Sequence, residues 1–290
     1  MSENNLRILI TGSNGQLGKC IKLISKKYFG LEVTFKDSKE LDITDKRSML
    51  SFLEAKHFDN IINCAAYTNV EQAEKEQEEA FLINAEGVKN IAEACKVNGI
   101  RLIHISTDYV FDGKKDSPYI EEDITNPINE YGKSKLLGEQ YIQEILKEYF
   151  IIRTSWLYSQ FGNNFYKTIL EKSKTETQLN ITSSEIGTPT NANDLASFIL
   201  NLIGSKNQQY GIYHFSNLGK GTWYDFAKEI ISLQEKDNLK KLEKTPNYPT
   251  LAKRPKYSVL DKSKTVSVFG NDILEWKESL KKLIVDLKKI

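Results

Sequence analysis

Apolar residues recur in two rhythms along this chain, and the switch between them sets out its plan. In the first half, short apolar runs alternate with stretches whose apolar positions follow a helical period. Arg7–Thr11 is the first run, followed by a glycine-rich turn and a helical stretch to about Lys27. Leu31–Phe35, Asn60–Cys64, Ile100–Ser106 and Phe150–Thr154 predict four further strands. A helix should follow Thr44, a candidate cap with Arg47 at the third helical position. A long amphipathic helix should cover Glu78–Asn98 and stop at Gly99, and another should cover Glu130–Glu148. Strand and helix in alternation predict an α/β fold, with a parallel sheet and helices on both faces. Right-handed crossovers make this a Rossmann-type doubly wound domain over residues 1–155.

Beyond Trp156 the rhythm loosens. Helices are expected over Asn163–Thr175, over Asp194–Ile203 behind an Asn193 cap, and over Thr222–Leu233. Leu179–Thr182 and Ile212–Ser216 read as short strands. Lys244–Pro255 holds three of the six prolines and reads as an extended loop. A last helix starts near Asn271. Residues 156–290 are thus expected to form a smaller, interleaved C-terminal substrate domain, with elements near 179–203 returning to the sheet.

Charge narrows the partners. The 290 residues carry 40 basic and 39 acidic side chains, net +1, so no global field favours nucleic acid or an anionic membrane. Lysine pairs at Lys240-Lys241 and Lys288-Lys289 read as solvated helix faces. The apolar runs are strand-sized, too short for a membrane span. The polar start MSENNLR lacks the apolar core of a signal peptide, so a cytoplasmic location is expected. Cys20, Cys64 and Cys95 are odd in number and lie in apolar stretches, as free thiols in a reducing compartment would. His57, His104 and His214 match no zinc spacing, and His104, inside an apolar strand pattern, reads as structural.

The turn Gly12-Ser13-Asn14-Gly15-Gln16-Leu17-Gly18 lies between the first strand and its helix. Gly12 suits the tight turn, Gly15 a close approach to a pyrophosphate, and Gly18 close helix packing, while the helix N-terminus offers amide donors. A dinucleotide is the implied ligand; the bland reading is a tight loop that binds nothing. The second strand ends in Lys36 and Asp37, the first suited to the ribose phosphate of NADPH and the second to the free hydroxyls of NADH. Both cofactors stay open. Asp42-Ile43 could frame the adenine. The small residues of Cys64-Ala65-Ala66-Tyr67-Thr68 let backbone lie against a cofactor, or simply pack.

Tyr131 and Lys135 stand one helical turn apart in NEYGKSK, on one face of a helix that follows the fourth strand. A phenol is a poor acid, with a pKa of about 10, and a nearby ammonium should lower it. Lys135 could also hydrogen-bond the cofactor ribose. Thr107 follows the fourth strand, at the sheet edge where ligands bind. Its hydroxyl could orient a carbonyl oxygen that Tyr131 protonates; the alternative is a strand-end cap.

With these residues in place the chain resembles the extended short-chain dehydrogenase/reductase superfamily and, within it, the dTDP-4-dehydrorhamnose reductases. The resemblance runs through GSNGQLG, LDITD, NCAAYTNVEQAE, STDYVFDG, YGKSKLLGE, RTSWLY, GNNF, GTPT, TWYDFA and RPKYSVLD, in that order. It implies NADPH- or NADH-dependent reduction of the 4-keto group of dTDP-4-dehydro-L-rhamnose. Gly15, Gln16 and Leu17 would line the pyrophosphate, Asp42 and Ile43 the adenine, and Ala65, Ala66 and Tyr67 the inner cofactor. Thr107, Tyr131 and Lys135 would be catalytic. Thr107, Asp108, Tyr109 and Trp156 would face the sugar, and Asn164 and Arg254 the diphosphate or nucleoside. For Arg254 a surface ion pair competes, and for Trp156 core packing. Related dehydratases carry glutamate where this chain has Tyr109, which favours simple reduction. Some members bind Mg2+ through carboxylates at a dimer interface; Glu185 is the one candidate ligand, and the metal stays unknown. A monomer and a homodimer both fit. The rival functions are another nucleotide-deoxysugar reductase, an epimerase, or a non-catalytic NADP-binding regulatory subunit.

Overall fold

Strand β1, Leu6–Thr11, places Ile8, Leu9 and Ile10 on alternating faces, and all three are fully buried. A strand covered on both faces belongs inside a parallel sheet. In the computed structural model, which describes residues 5–205, 207–234, 241–246, 248–270 and 272–288, β1 lies between β2 (Leu31–Phe35) and β3 (Asn60–Asn63). Beyond β3 come β4 (Arg101–Thr107) and β5 (Tyr149–Thr154), all parallel.

The crossovers carry α1 (Gln16–Ile24), α2 (Lys46–Ala55), the short α3 (Val70–Ala73), α4 (Gln77–Phe81), α5 (Gly87–Asn98) and α6 (Glu130–Ile145). The helix expected over Glu78–Asn98 is interrupted by a π turn at Leu82–Glu86 and ends where Gly99 takes the left-handed conformation at φ 64°. Thr44 does not cap α2. The Asp45 carboxylate accepts from Ser48 N at 3.0 Å, while Thr44 donates its hydroxyl to Asp42. A carboxylate is the better acceptor at a helix start. Helix α6 stops at Ile145, short of Glu148, because the chain is extended at Leu146.

The second half supplies β6 (Leu157–Tyr158), α7 (Phe165–Thr175), β7 (Gln178–Thr182), β8 (Ile186–Gly187), β9 (Thr190–Asn191), α8 (Ala192–Gly204) and β10 (Gly211–His214). It continues with β11 (Gly221–Thr222), α9 (Trp223–Ser232), β12 (Lys241–Thr245), α10 (Ser263–Phe269) and α11 (Trp276–Leu287). Asn191, not Asn193, caps α8, its side chain accepting from Asn193 N. Strand β10 pairs with β5 and completes a six-stranded sheet in the order β10-β5-β4-β3-β1-β2. Strand β7 pairs in parallel with β12 instead. Lys241, Lys244 and Thr245 therefore lie in a strand, not on a helix face or in a loop. Lys240, Lys289 and Asn271 lie outside the described residues; the last helix begins at Trp276, behind the Glu275 cap.

One face of the sheet packs Ile8, Ile10 and Ile152 against α1 and α8. The other packs Leu9, Ile61 and Leu102 against α2, α5 and α6. A separate apolar cluster joins α7, α9 and α11 around Phe226 and Trp276. Among the described residues, no helix is long and apolar enough to cross a membrane. The three cysteines are free thiols.

Candidate active site

All six strands of the main sheet are parallel, so the loops after them share one edge. At that edge the glycine turn leads from β1 into α1. Gly12 adopts φ 65°, and a Cβ there would lie 2.5 Å from Ala65 N. A Cβ on Gly18 would lie 2.7 Å from Ser13. Only glycine lets this turn rest on the end of β3. Gly15 is the N-cap of α1 and makes no side-chain cap, and the first turn holds no acid. Its amides and the positive end of its dipole are therefore available to an anion.

Several expected cofactor contacts already have work inside the protein. The Leu17 side chain is in the core, which leaves its backbone to face a ligand. Gln16 donates to Leu157 O at 3.1 Å, and its oxygen accepts from Asn164 at 2.5 Å. Asn164 caps α7 through Lys167 N and donates to Ser159 O as well. Asn164 thus holds Gln16 and the start of α7. Asp42 accepts from Thr44 N, while Ile43 packs beside Gly87. Tyr67 exchanges backbone bonds with the Asn84 amide and donates its hydroxyl to Glu76 at 2.6 Å.

Two glycines bring α6 to the sheet edge. A Cβ on Gly132 would collide with the Tyr109 carbonyl, and one on Gly138 with the Asn84 carbonyl. Asn129 caps the helix, accepting from Gly132 N at 2.7 Å. Tyr131, in the first turn, then lies edge to face against Tyr109, with ring centroids 5.8 Å apart. Burial pushes the Tyr131 phenol up to about 12; contact with the Thr107 hydroxyl draws it back and the Asp108 charge adds to the rise. Thr107 is the expected strand-end cap as well: it accepts from Tyr109 N and donates to Asp108 Oδ1, both at 3.2 Å. Asp108 is 2% exposed, and burial raises its carboxyl to about 7 against contacts with Ser258 and Thr107. Among the described residues its second oxygen has no hydrogen-bond partner.

Lys135 departs from the sequence expectation. Its Nζ donates to Ile105 O at 2.6 Å and lies 3.3 Å from His104 Nε2. Burial is the largest influence on the proton affinity of Tyr131 and raises it. Burial lowers Lys135 itself to about 8, opposed chiefly by Glu139.

The sugar-side candidates come from the second half. Trp156 follows β5 in a left-handed conformation, φ 45°. Arg254 pairs with Glu71 Oε1 at 2.5 Å, the ion pair that competed with its diphosphate role. The other oxygen of Glu71 accepts from Leu251 N at 2.7 Å. Glu185 accepts from Thr182 Oγ1 at 3.2 Å. Among the described residues, no group of three or more His, Cys, Asp or Glu side chains is placed to hold a metal ion.

Sequence reasoning passed over Asn84, Glu71 and the Ser106–Glu139–Arg153 cluster. Ser106 donates to Glu139 at 2.5 Å, and Arg153 bonds both carboxylate oxygens. The available signal was a polar residue at an otherwise apolar position of a strand or helix face.

The chain has close relatives. The family model described as the RmlD substrate binding domain matches residues 6–289. A dTDP-4-dehydrorhamnose reductase of Aggregatibacter actinomycetemcomitans is 41% identical over 244 residues, 83% of this chain and 82% of that protein. The crystal structure of a dTDP-4-dehydrorhamnose reductase from Clostridium acetobutylicum superposes with a TM-score of 0.91 at 41% identity, covering 98% of this chain and 100% of that one. The Bacillus anthracis enzyme of the same name, solved in complex with NADP, gives 0.90 at 39% identity, covering 97% and 99%. The chain therefore belongs to the RmlD substrate binding domain family, among the dTDP-4-dehydrorhamnose reductases.

Proposed function

We propose that this protein uses NADPH to reduce the 4-keto group of dTDP-4-dehydro-L-rhamnose, giving dTDP-L-rhamnose. The observation that carries the reading is the meeting of Thr107 and Tyr131 at the sheet edge onto which the uncapped first turn of α1 also opens. The residues fit a dinucleotide: Gly12 and Gly18 leave no side chain in the turn, and the α1 amides would hold the pyrophosphate. A bound nicotinamide supplies the hydride.

The chain's own residues manage the proton. Thr107 orients the carbonyl oxygen. Tyr131, held protonated by burial, gives its proton to that oxygen as negative charge develops there. Lys135, one turn along α6, serves the cofactor ribose and the phenol once turned from Ile105. Asp108 and Tyr109 face the sugar, and Trp156 bounds it. Arg254 reaches the diphosphate, which its planar fork suits.

NADPH is chosen over NADH because the Bacillus anthracis relative was solved in complex with NADP; Asp37, the residue suited to NADH, is already engaged. Its Oδ1 accepts from Lys39 N and Glu40 N, and its Oδ2 from the Asn14 amide. Those acceptors are spent within the turn and not on ribose hydroxyls. The test is cofactor oxidation, followed by near-ultraviolet absorbance, with dTDP-4-dehydrorhamnose made in place by upstream enzymes. Faster oxidation of NADPH than NADH, with dTDP-rhamnose as product, supports the reading. Absence of turnover with the cofactor bound would overturn it.

A further inference from the structure

A chain of buried polar groups, of which the proposed reaction uses only Lys135, runs beneath the site from β1 to α6. Thr11 donates its hydroxyl to Asn63 Oδ1 at 2.7 Å, and the Ala65 N–H donates to the same oxygen at 3.1 Å. A backbone N–H can only donate, so the orientation of the Asn63 amide is fixed and its nitrogen points the other way. That nitrogen lies 3.1 Å from His104 Nδ1. Nδ1 must then accept. A neutral imidazole has one N–H, which this leaves on Nε2. Nε2 lies 3.3 Å from Lys135 Nζ, and Nζ donates to Ile105 O at 2.6 Å. An ammonium has no lone pair for the Nε2–H; an amine has one.

We infer that His104 is a positioning residue: fixed by Asn63 as the Nε2–H tautomer, it donates to Lys135 and parks that lysine as a neutral amine on the Ile105 carbonyl. The charge of Lys135 is thereby coupled to its position. Against His104 the amine form predominates once pH exceeds about 8, and in that form it exerts no field on Tyr131. Turned away from His104 it is free to be an ammonium. The inference rests on the proposed function only for its meaning in catalysis.

The surroundings agree. Thr11, Asn63, His104 and Lys135 are all at most 2% exposed. Burial holds the His104 imidazole well below its ordinary value, so it stays neutral. Burial likewise favours the uncharged lysine. The titratable groups facing Lys135 are His104 on β4, Cys64 just past β3, and Glu139 one turn along α6. Glu139 favours the ammonium, but its carboxylate is engaged by Arg153 and Ser106. Burial pushes the Cys64 thiol up to about 12, so it adds no charge.

Two measurements without turnover test this, so their failure is separate from failure of the reductase reading. Long-range proton–nitrogen correlation spectra of the cofactor-free protein with labelled histidine report the tautomer directly. The expected result, at a pH above the Lys135 value of about 8, is a bare Nδ1 and a protonated Nε2 on His104; an Nδ1–H or an imidazolium overturns the inference. Labelled lysine then follows Lys135 in the wild type, His104→Gln and His104→Leu. The wild type should titrate near 8, and the Gln variant with it, because a carboxamide N–H replaces Nε2–H. The Leu variant should titrate about one pH unit higher, the worth of one hydrogen bond to the neutral amine. An unmoved titration in His104→Leu contradicts the inference.

Discussion

Trp156 lies face to face on Trp223, with ring centroids 3.7 Å apart and planes inclined by 8°. The stack joins the end of the Rossmann sheet to the first turn of α9. Trp156 is also, among the described residues, the one non-glycine with positive φ. Such a conformation persists only where its surroundings impose it, and it concentrates at functional sites. Gly187 makes room for the ring: a Cβ there would stand 2.5 Å from Trp156 Cε2. Gly187→Ala should displace the stack at a cost of about 1–3 kcal/mol. Steady-state kinetics should show a raised KM for the nucleotide sugar with NADPH affinity unchanged. An unchanged KM would remove Trp156 from the sugar site.

Tyr131→Phe deletes the proposed proton donor and keeps the ring that packs on Tyr109. Turnover should fall by about two to four orders of magnitude, the usual worth of a positioned acid. Cofactor binding, followed by fluorescence, should persist. Near-wild-type turnover would assign the proton to another group.

Asp108 ties function to pH. Its folded-state value of about 7 lies above its ordinary 3.8, so between these values the folded state binds the extra proton. Stability therefore falls as pH rises from about 4 to about 7. The loss is on the order of 4 kcal/mol at most for a group this buried. Asp108→Asn should lack that slope in urea unfolding across the window, and should be the more stable protein at neutral pH. It should also bind the sugar less well. Equal slopes in the two proteins would show that the carboxyl is ionised throughout.

Glu71 holds the late loop through Leu251 N and Arg254. Glu71→Gln keeps an amide oxygen for Leu251 N but loses the Arg254 ion pair, and should raise the KM for the nucleotide sugar by about tenfold or less, with kcat retained. A fall in kcat at constant KM would place this contact in the chemical step.

The parallel sheet was legible because β1, β3, β4 and β5 are apolar runs with a single environment on each side, so their pattern needs no long-range information. The caps were less legible. Asp45 and Thr44 are adjacent acceptors, and only the path of the chain decides between them. The pairing of β7 with β12 joins segments far apart in sequence, and Lys244-Thr245 carry no strand signal of their own. Within the site, the spacing of Tyr131 and Lys135 was plain, but the direction of Lys135 was not. Its Nζ turns to Ile105 and His104, partners that helical spacing does not reveal. The role of Glu71 was hidden for the same reason, since its partners lie far along the chain.

The most direct test of the reductase reading is isotope transfer. The protein is given NADPH carrying deuterium at the transferable nicotinamide position, with dTDP-4-dehydrorhamnose as acceptor, and the sugar product is examined by NMR. The account predicts dTDP-L-rhamnose with deuterium on the carbon that bore the keto group, in step with cofactor oxidation. Cofactor bound but unoxidised, or a sugar product free of deuterium, would contradict it.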